Sequence, residues 1–359
     1  MTRRFWATML LVFFVSWQHV AQENPPMEEE EGEMVIDYAN LVQTEENKAF
    51  CSSRILGQQP MKIISLGYDL QTAHTLQPDP FVPGGPADAE QLNNARGLRL
   101  GINYPVYSKN DLLVNLGLNY AHTQYAFETP TLVTDNPLSR ALDNNGLTTL
   151  GVTATVFKPL NIKRYFIVQF GANLNGDYTL NDIQALRYTR YTASVIYGIK
   201  SNDRKMWGVG ATRTYLGGAL NYLPVYYMMY TSENKKWGLE MVLPARFQYR
   251  RNIDDKNLFL LGWEIEGNTY RINNDGDPYG LPFNDLELRR AELRVRATWE
   301  HALTPQIWLS AQAGFRYNWS FDVDRGDFFR PFGDDTPYLA ETNLSNPAYF
   351  NISINWVSP

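Results

Sequence analysis

The residues of this chain best placed to do chemistry are charged, and they come in alternation. In the stretch 286–301, LELRRAELRVRATWEH, Arg290, Glu292, Arg294, Arg296 and Glu300 share one parity with Thr298. Ala291, Leu293, Val295, Ala297 and Trp299 share the other. Period-two alternation over about ten residues makes a strand with one polar and one apolar face. A helix would put Leu293 on the stripe of Arg290 and Arg294 and bury charge. Neighbouring stretches supply Arg246 and Arg250, Glu264 and Glu266, and Arg316, each on the polar side of its own alternation. Hairpin geometry sets Glu264 and Glu266 near the level of Arg294 and Arg296. Opposite charges facing one another across strands can pair, line a water-filled bore and set which ions pass. The chemistry read here is therefore a mixed-sign lumen lining. The plainer alternative is a charged wall that only closes and stiffens a barrel.

Other chemistry has less support. Beyond residue 21 the histidines are His74, His122 and His301, and none has a nucleophile motif near it. There is no G-x-S-x-G elbow, and a serine hydrolase needs Ser, His and an orienting group together. No catalytic residue and no cofactor is assigned. Asn273, Asp275 and Asp277, and again Asp322, Asp324 and Asp327, could offer oxygens to Ca²⁺. The first run has Pro278 where an EF-hand loop needs Gly and lacks its final bidentate Glu, so solvated loops are the simpler reading and no metal ligand is assigned.

The strands that position these charges occupy most of the chain. Apolar residues alternate over 61–72, 97–107, 111–120, 147–157, 164–174, 188–200, 235–251, 257–272, 305–321 and 348–357 as well. The opposite parity carries Asn, Gln, Thr, Ser and Gly. Repeated stretches of about ten residues, with short polar turns alternating with long Pro-, Gly- and Asp-rich loops, are the pattern of an antiparallel transmembrane β-barrel of the outer membrane. Aromatic residues make up 14% of the chain, enough to supply girdles at both interfaces. The expected fold is all-β with 12–14 strands. Thirteen stretches can be counted and the loop alternation slips once between 216 and 257. Either residues 34–41 add a strand, or one stretch is two strands or none. Pro105, Pro224 and Pro244 are expected at bulges or strand ends.

Residues 1–21 read as a secretory signal peptide: Arg3 and Arg4, a short apolar core, then Ala21 before Gln22. Cys51 is too far from that core for a lipoprotein signal, and one cysteine makes no internal disulfide. Without residues 1–21 there are 30 basic and 38 acidic residues, a net charge of −8. Residues 22–58 hold nine acidic and two basic residues, so 59–359 is near neutral at −1. The acidic stretch reads as a disordered periplasmic leader and 59–359 as the barrel. Nothing is basic enough for nucleic acid.

The stretch 222–250, YLPVYYMMYTSENKKWGLEMVLPARFQYR, followed by LLGWEIEGNTYRI, resembles an uncharacterised family of outer-membrane β-barrel proteins of Bacteroidota. The shared pattern is a Leu-Pro pair, a strand ending in Tyr230, a polar turn, Trp237 opening the next strand and a second Leu-Pro pair. The resemblance covers about residues 60–359. It implies fold and location: the outer membrane, its lipids, and the barrel assembly machinery as a partner. It implies no activity. The chain departs from many bacterial barrels by ending Trp356-Val-Ser-Pro359 rather than on an aromatic residue. The functional expectation is a narrow passive channel for small solutes. A structural or interaction barrel without transport is the alternative, and a lipid hydrolase a remoter one. Arg side chains held across the bore by Glu would keep conductance low.

Overall fold

A computed structural model describes residues 50–81, 85, 87–129, 136–179, 189–273, 285–324 and 338–358. Residues 1–49, which include the expected signal peptide, most of the acidic leader and the 34–41 candidate strand, lie outside these, as do Asp275, Asp277 and Asp327.

The alternating stretches are strands in one antiparallel ring. In chain order they are β1 (Met61–Gln71), β2 (His74–Gln77), β3 (Glu90–Lys109), β4 (Leu112–Phe127), β5 (Leu147–Pro159), β6 (Arg164–Gly176), β7 (Thr189–Asn202) and β8 (Lys205–Thr214). Then come β9 (Asn221–Thr231), β10 (Trp237–Leu243), β11 (Arg246–Asn252), β12 (Asn257–Asn273), β13 (Asp285–Ala302), β14 (Ile307–Asp324), β15 (Asn343–Leu344) and β16 (Ala348–Ser358). One helix, α1 (Pro137–Asn144), lies between β4 and β5, capped by the Asn136 side chain. Each long strand pairs with its neighbours, and β1 pairs with both β16 and β3, so 14 strands close into a barrel. β2 and β15 pair with each other at the end of β3 and lie outside the ring count.

The even strand number follows from a turn that alternation hides. The stretch 235–251 is two strands, β10 and β11, joined at Leu243-Pro244-Ala245, with Val242 opposite Arg246. A three-residue connection keeps the parity, so hydropathy runs through it unbroken. Pro105 sits at a register shift between β3 and β4. Pro224 lies on the part of β9 that has no β10 partner, where a missing N–H costs no ladder bond.

The apolar parity faces outward. Leu66, Leu116, Val152, Phe170, Val209, Leu261, Val295 and Ile352 are all exposed, on strands all round the ring. An apolar belt of that extent does not suit water. Trp237 stands 5.3 Å from Tyr230 and 6.2 Å from Tyr249 between ring centroids, a cluster near the short-turn end.

Wall height is uneven, and this shapes the lumen. β10 and β11 have seven residues each, whereas β12, β13 and β14 have 17, 18 and 18. Above Glu264, β12 has outgrown β11, and Ile265 N–H donates to the Ala245 carbonyl as the last bond between them. The unpaired edge is covered by the β8–β9 connection: Thr269 Oγ1 donates to Gly218 O at 2.8 Å. A Cβ at Gly267 would collide with the Leu216 carbonyl, so that approach requires glycine. Arg271 of β12 then bridges to Gly176 of β6, although five strands separate β6 from β12 in the ring. The upper end of β12 must therefore bend across the mouth.

Candidate functional site: an ion-paired chamber in the lumen

The charged parity of β13 faces inward. In the ladder, Glu266 stands opposite Glu292, Glu264 opposite Arg294, and Arg294 opposite Arg316. Two of these oppositions are between like charges, which a sheet disfavours. The side chains resolve this by pairing diagonally. Arg296 reaches back to Glu264 at 2.7 Å, and Arg294 spans Glu266 and Glu292. Glu292 also takes Arg290 at 2.9 Å and Arg316 at 3.3 Å, so three guanidiniums enclose one carboxylate.

The cluster extends across the seam where the ring closes. Asp69 of β1 accepts from Arg99 of β3, from Arg316 at 3.4 Å and from Asn351 of β16 at 2.6 Å. Arg99 also lies 3.7 Å from Glu266. Asp69 and Arg99 are functional residues that the sequence reading missed. Both lie on polar parities, which was the available signal, but which strands flank the seam is not written in periodicity. Tyr349 adds its ring face to Arg316, 4.7 Å from the centroid.

Not every candidate joins this cluster. Arg250 is fully buried and pairs with Glu240 at 2.7 Å and Thr231 Oγ1 at 2.9 Å, between β10 and its neighbours. Glu300 pairs with Lys62 at 2.6 Å and takes Ser310 Oγ at 3.2 Å. Arg246 stands opposite Glu264, yet among the described residues it forms no ion pair, because Arg296 holds that carboxylate. A second buried set sits higher: Glu287 with Arg190 at 3.2 Å, and Arg289 with Asp324 at 3.0 Å. Asp324, weighed above as a calcium ligand, is thus an ion-pair partner.

The cluster borders a cavity of about 350 Å³. Arg99, Arg290, Arg294, Arg296, Lys62, Asp69 and Glu266 line one side. Ser65, Asn119, Thr123, Thr149, Gln312 and Asn351 supply neutral hydrogen-bonding groups.

Apolar side chains bound this chamber toward the long-loop end. Leu286 and Leu288 continue the inward parity of β13 beyond Arg290 and join Tyr125, Phe127, Ile272, Phe321 and Val323. Leu138 and Leu142 of α1 pack into the same core.

At the short-turn end a strap of residues 50–58 enters the barrel. This segment belongs to the stretch expected to be leader. Cys51 and Ile55 are buried against the inward-facing Phe157, Tyr165, Met206 and Met229. Three turns hold it: Cys51 N–H donates to Asn161 O, Leu56 N–H to Asp203 O, and Lys200 Nζ donates to Arg54 O at 2.8 Å and to Ser52. Burial pushes the Cys51 thiol above its usual pKa, against the opposing effect of nearby Lys200.

The histidines are dispersed. His74 contacts Thr72 O, His122 contacts Thr148 Oγ1 and His301 contacts Asn257 Oδ1, on three separate strands.

No family model and no curated protein matches the chain. Solved outer-membrane structures do resemble it in outline. An outer membrane channel from Pseudomonas putida F1 is 12% identical, with 84% of this chain and 97% of that one covered, at a TM-score of 0.38. The Pseudomonas putida toluene transporter TodX is 10% identical, with 86% and 94% covered, at 0.34. The NanC porin is 9% identical, with 82% and 100% covered, at 0.32.

Proposed function

We propose that this chain is an outer-membrane barrel that passes small polar solutes through a narrow, ion-paired chamber. The carrying observation is the chamber itself: about 350 Å³ of polar space between the charged wall of β12–β14 and the neutral wall of β1, β4 and β5. A ring of 14 strands is wider than the eight-stranded kind whose side chains just fill it, so charges drawn across the bore set its width. The apolar outer belt supports a bilayer setting. In this reading residues 1–21 are removed as a signal peptide, the acidic leader lies in the periplasm, and the Leu-Pro and Trp motifs of β9–β12 mark kinship with Bacteroidota barrels.

The decisive experiment is single-channel recording of the purified protein in planar bilayers. Low conductance is expected. Replacing Arg290, Arg294 and Arg296 together by Ser should raise it and shift preference toward cations, because Glu264, Glu266 and Glu292 remain. A large conductance that this change leaves untouched in size and ion preference would refute the reading. The apolar closure at the long-loop end favours one other reading, a barrel with no transport. Silence from both wild type and triple variant would select it.

A further inference from the structure

The chamber's surface is not electrically balanced. Five cations line it, Lys62, Arg99, Arg290, Arg294 and Arg296, against the two carboxylates of Asp69 and Glu266. Glu292 contributes little to that surface, being 1% exposed behind its three guanidiniums. Asp69 is 7% exposed and already accepts from Arg99, Arg316 and Asn351. The acids are saturated by protein donors.

The guanidiniums are not saturated. An arginine carries five N–H donors in a fixed fork. Arg294 uses Nε and Nη1 on Glu292 and Glu266, but its Nη2 has no hydrogen-bond partner. Nε of Arg290 has none either. These side chains are 4% and 6% exposed, so their spare donors are buried at the chamber edge. A buried donor without an acceptor is costly, and an anion in the chamber would supply acceptors. The remaining wall offers Ser65, Asn119, Thr123 and Thr149, groups that bind hydroxyls. A cavity of about 350 Å³ is at the small end of small-molecule sites.

We infer that the chamber is a binding site for a small hydroxylated carboxylate, with its carboxylate on the Arg99–Arg294–Arg296 side and its hydroxyls on the Ser/Thr/Asn side. The inference deepens the proposed function and shares one premise with it, that solute reaches the chamber.

The test is titration calorimetry of the full chain in detergent with gluconate, with the neutral polyol sorbitol and with the cationic sugar glucosamine. Gluconate should bind at least about tenfold more tightly than sorbitol, since charge-assisted hydrogen bonds are about twice as strong as neutral ones. Arg99→Gln should remove most of that advantage. Thr149→Val, which touches no ion pair, should weaken gluconate and sorbitol alike by a few-fold. Equal binding of gluconate and sorbitol, or a preference for glucosamine, overturns the inference. So does wild-type gluconate affinity in a folded Arg99→Gln barrel. If that variant does not fold, the comparison of the three solutes on wild type decides. The strap variant Ile55→Asp separates access from affinity. Gluconate binding in that variant alone supports a site behind a closed entrance, and binding in neither protein overturns it. Gluconate binding by a protein that shows no conductance would overturn the transport proposal and leave the site standing.

Discussion

The two ends of the barrel are closed by opposite means. At the long-loop end the closure is made from the strands themselves: β12, β13 and β14 outgrow their neighbours, bend across the mouth and bury Leu286, Leu288, Ile272 and Phe321 completely or nearly so. At the short-turn end it is made from a strap of residues 50–58, held by a few hydrogen bonds and two buried side chains, Cys51 and Ile55. The first closure cannot open without loss of barrel structure. The second can leave while the barrel stays intact. Local stability of this kind follows the number of buried apolar contacts, not position in the chain.

That contrast is open to attack, beginning with the largest effect. Leu288→Asp puts a carboxylate into a site with no exposure. The change should cost upwards of about 4 kcal/mol, combining lost burial with a buried charge, and should abolish folding as judged by heat-modifiable gel mobility. A folded Leu288→Asp barrel would mean that the upper core is as dispensable as the strap. Ile55→Asp should leave the urea midpoint of the barrel within about 0.5 kcal/mol of wild type, because the strap undocks instead of the barrel unfolding. It should raise maleimide labelling of Cys51 more than about tenfold. Global unfolding by this variant would show that strap and barrel form one cooperative unit. Lys200→Met removes the donor to Ser52 and Arg54 and should speed Cys51 labelling by a smaller factor, roughly one hydrogen-bond equivalent of about 1 kcal/mol or fivefold. The smallest effect is on pH dependence. Since burial raises the Cys51 pKa, its thiolate fraction at a given pH lies below that of a free thiol, and labelling should climb at higher pH. In Ile55→Asp the climb should move down toward the free-thiol value of about 8.5. An unmoved profile would show that the strap is not what buries the thiol.

Much of the architecture was legible, because in-and-out parity is the one thing a strand writes into sequence. The charged side of 286–301 faces the lumen, and Val295, on the opposite parity, is 47% exposed on the outer surface. What parity cannot register is a turn that preserves it, which is why β10 and β11 read as one stretch. Pro244 was the only mark of the turn. Leu286 and Leu288 stand on the same parity as Arg290, so two apolar residues on a polar face already signalled an apolar closure. The strap was masked by its acidic surroundings, although the run of Glu ends at Glu46 and Phe50, Ile55 and Leu56 follow. Asp69 and Arg99 were on inward parities, but their partners come from ring closure, which is tertiary and leaves no local trace.

Ring closure also bears on how the protein is made. Arg316 and Asp69 are separated by 247 positions in the chain, and Asn351 and Asp69 by 282. Contacts of such separation form late, since the loop entropy must be met before they can stabilise anything. Until β1 zips to β16, Glu292 and its guanidiniums are a half-built constellation on an open sheet edge, and ionised groups facing hydrocarbon are expensive. The seam that completes the chamber therefore acts as a proofreading step in biogenesis, discriminating against barrels released to the bilayer before their two ends have met.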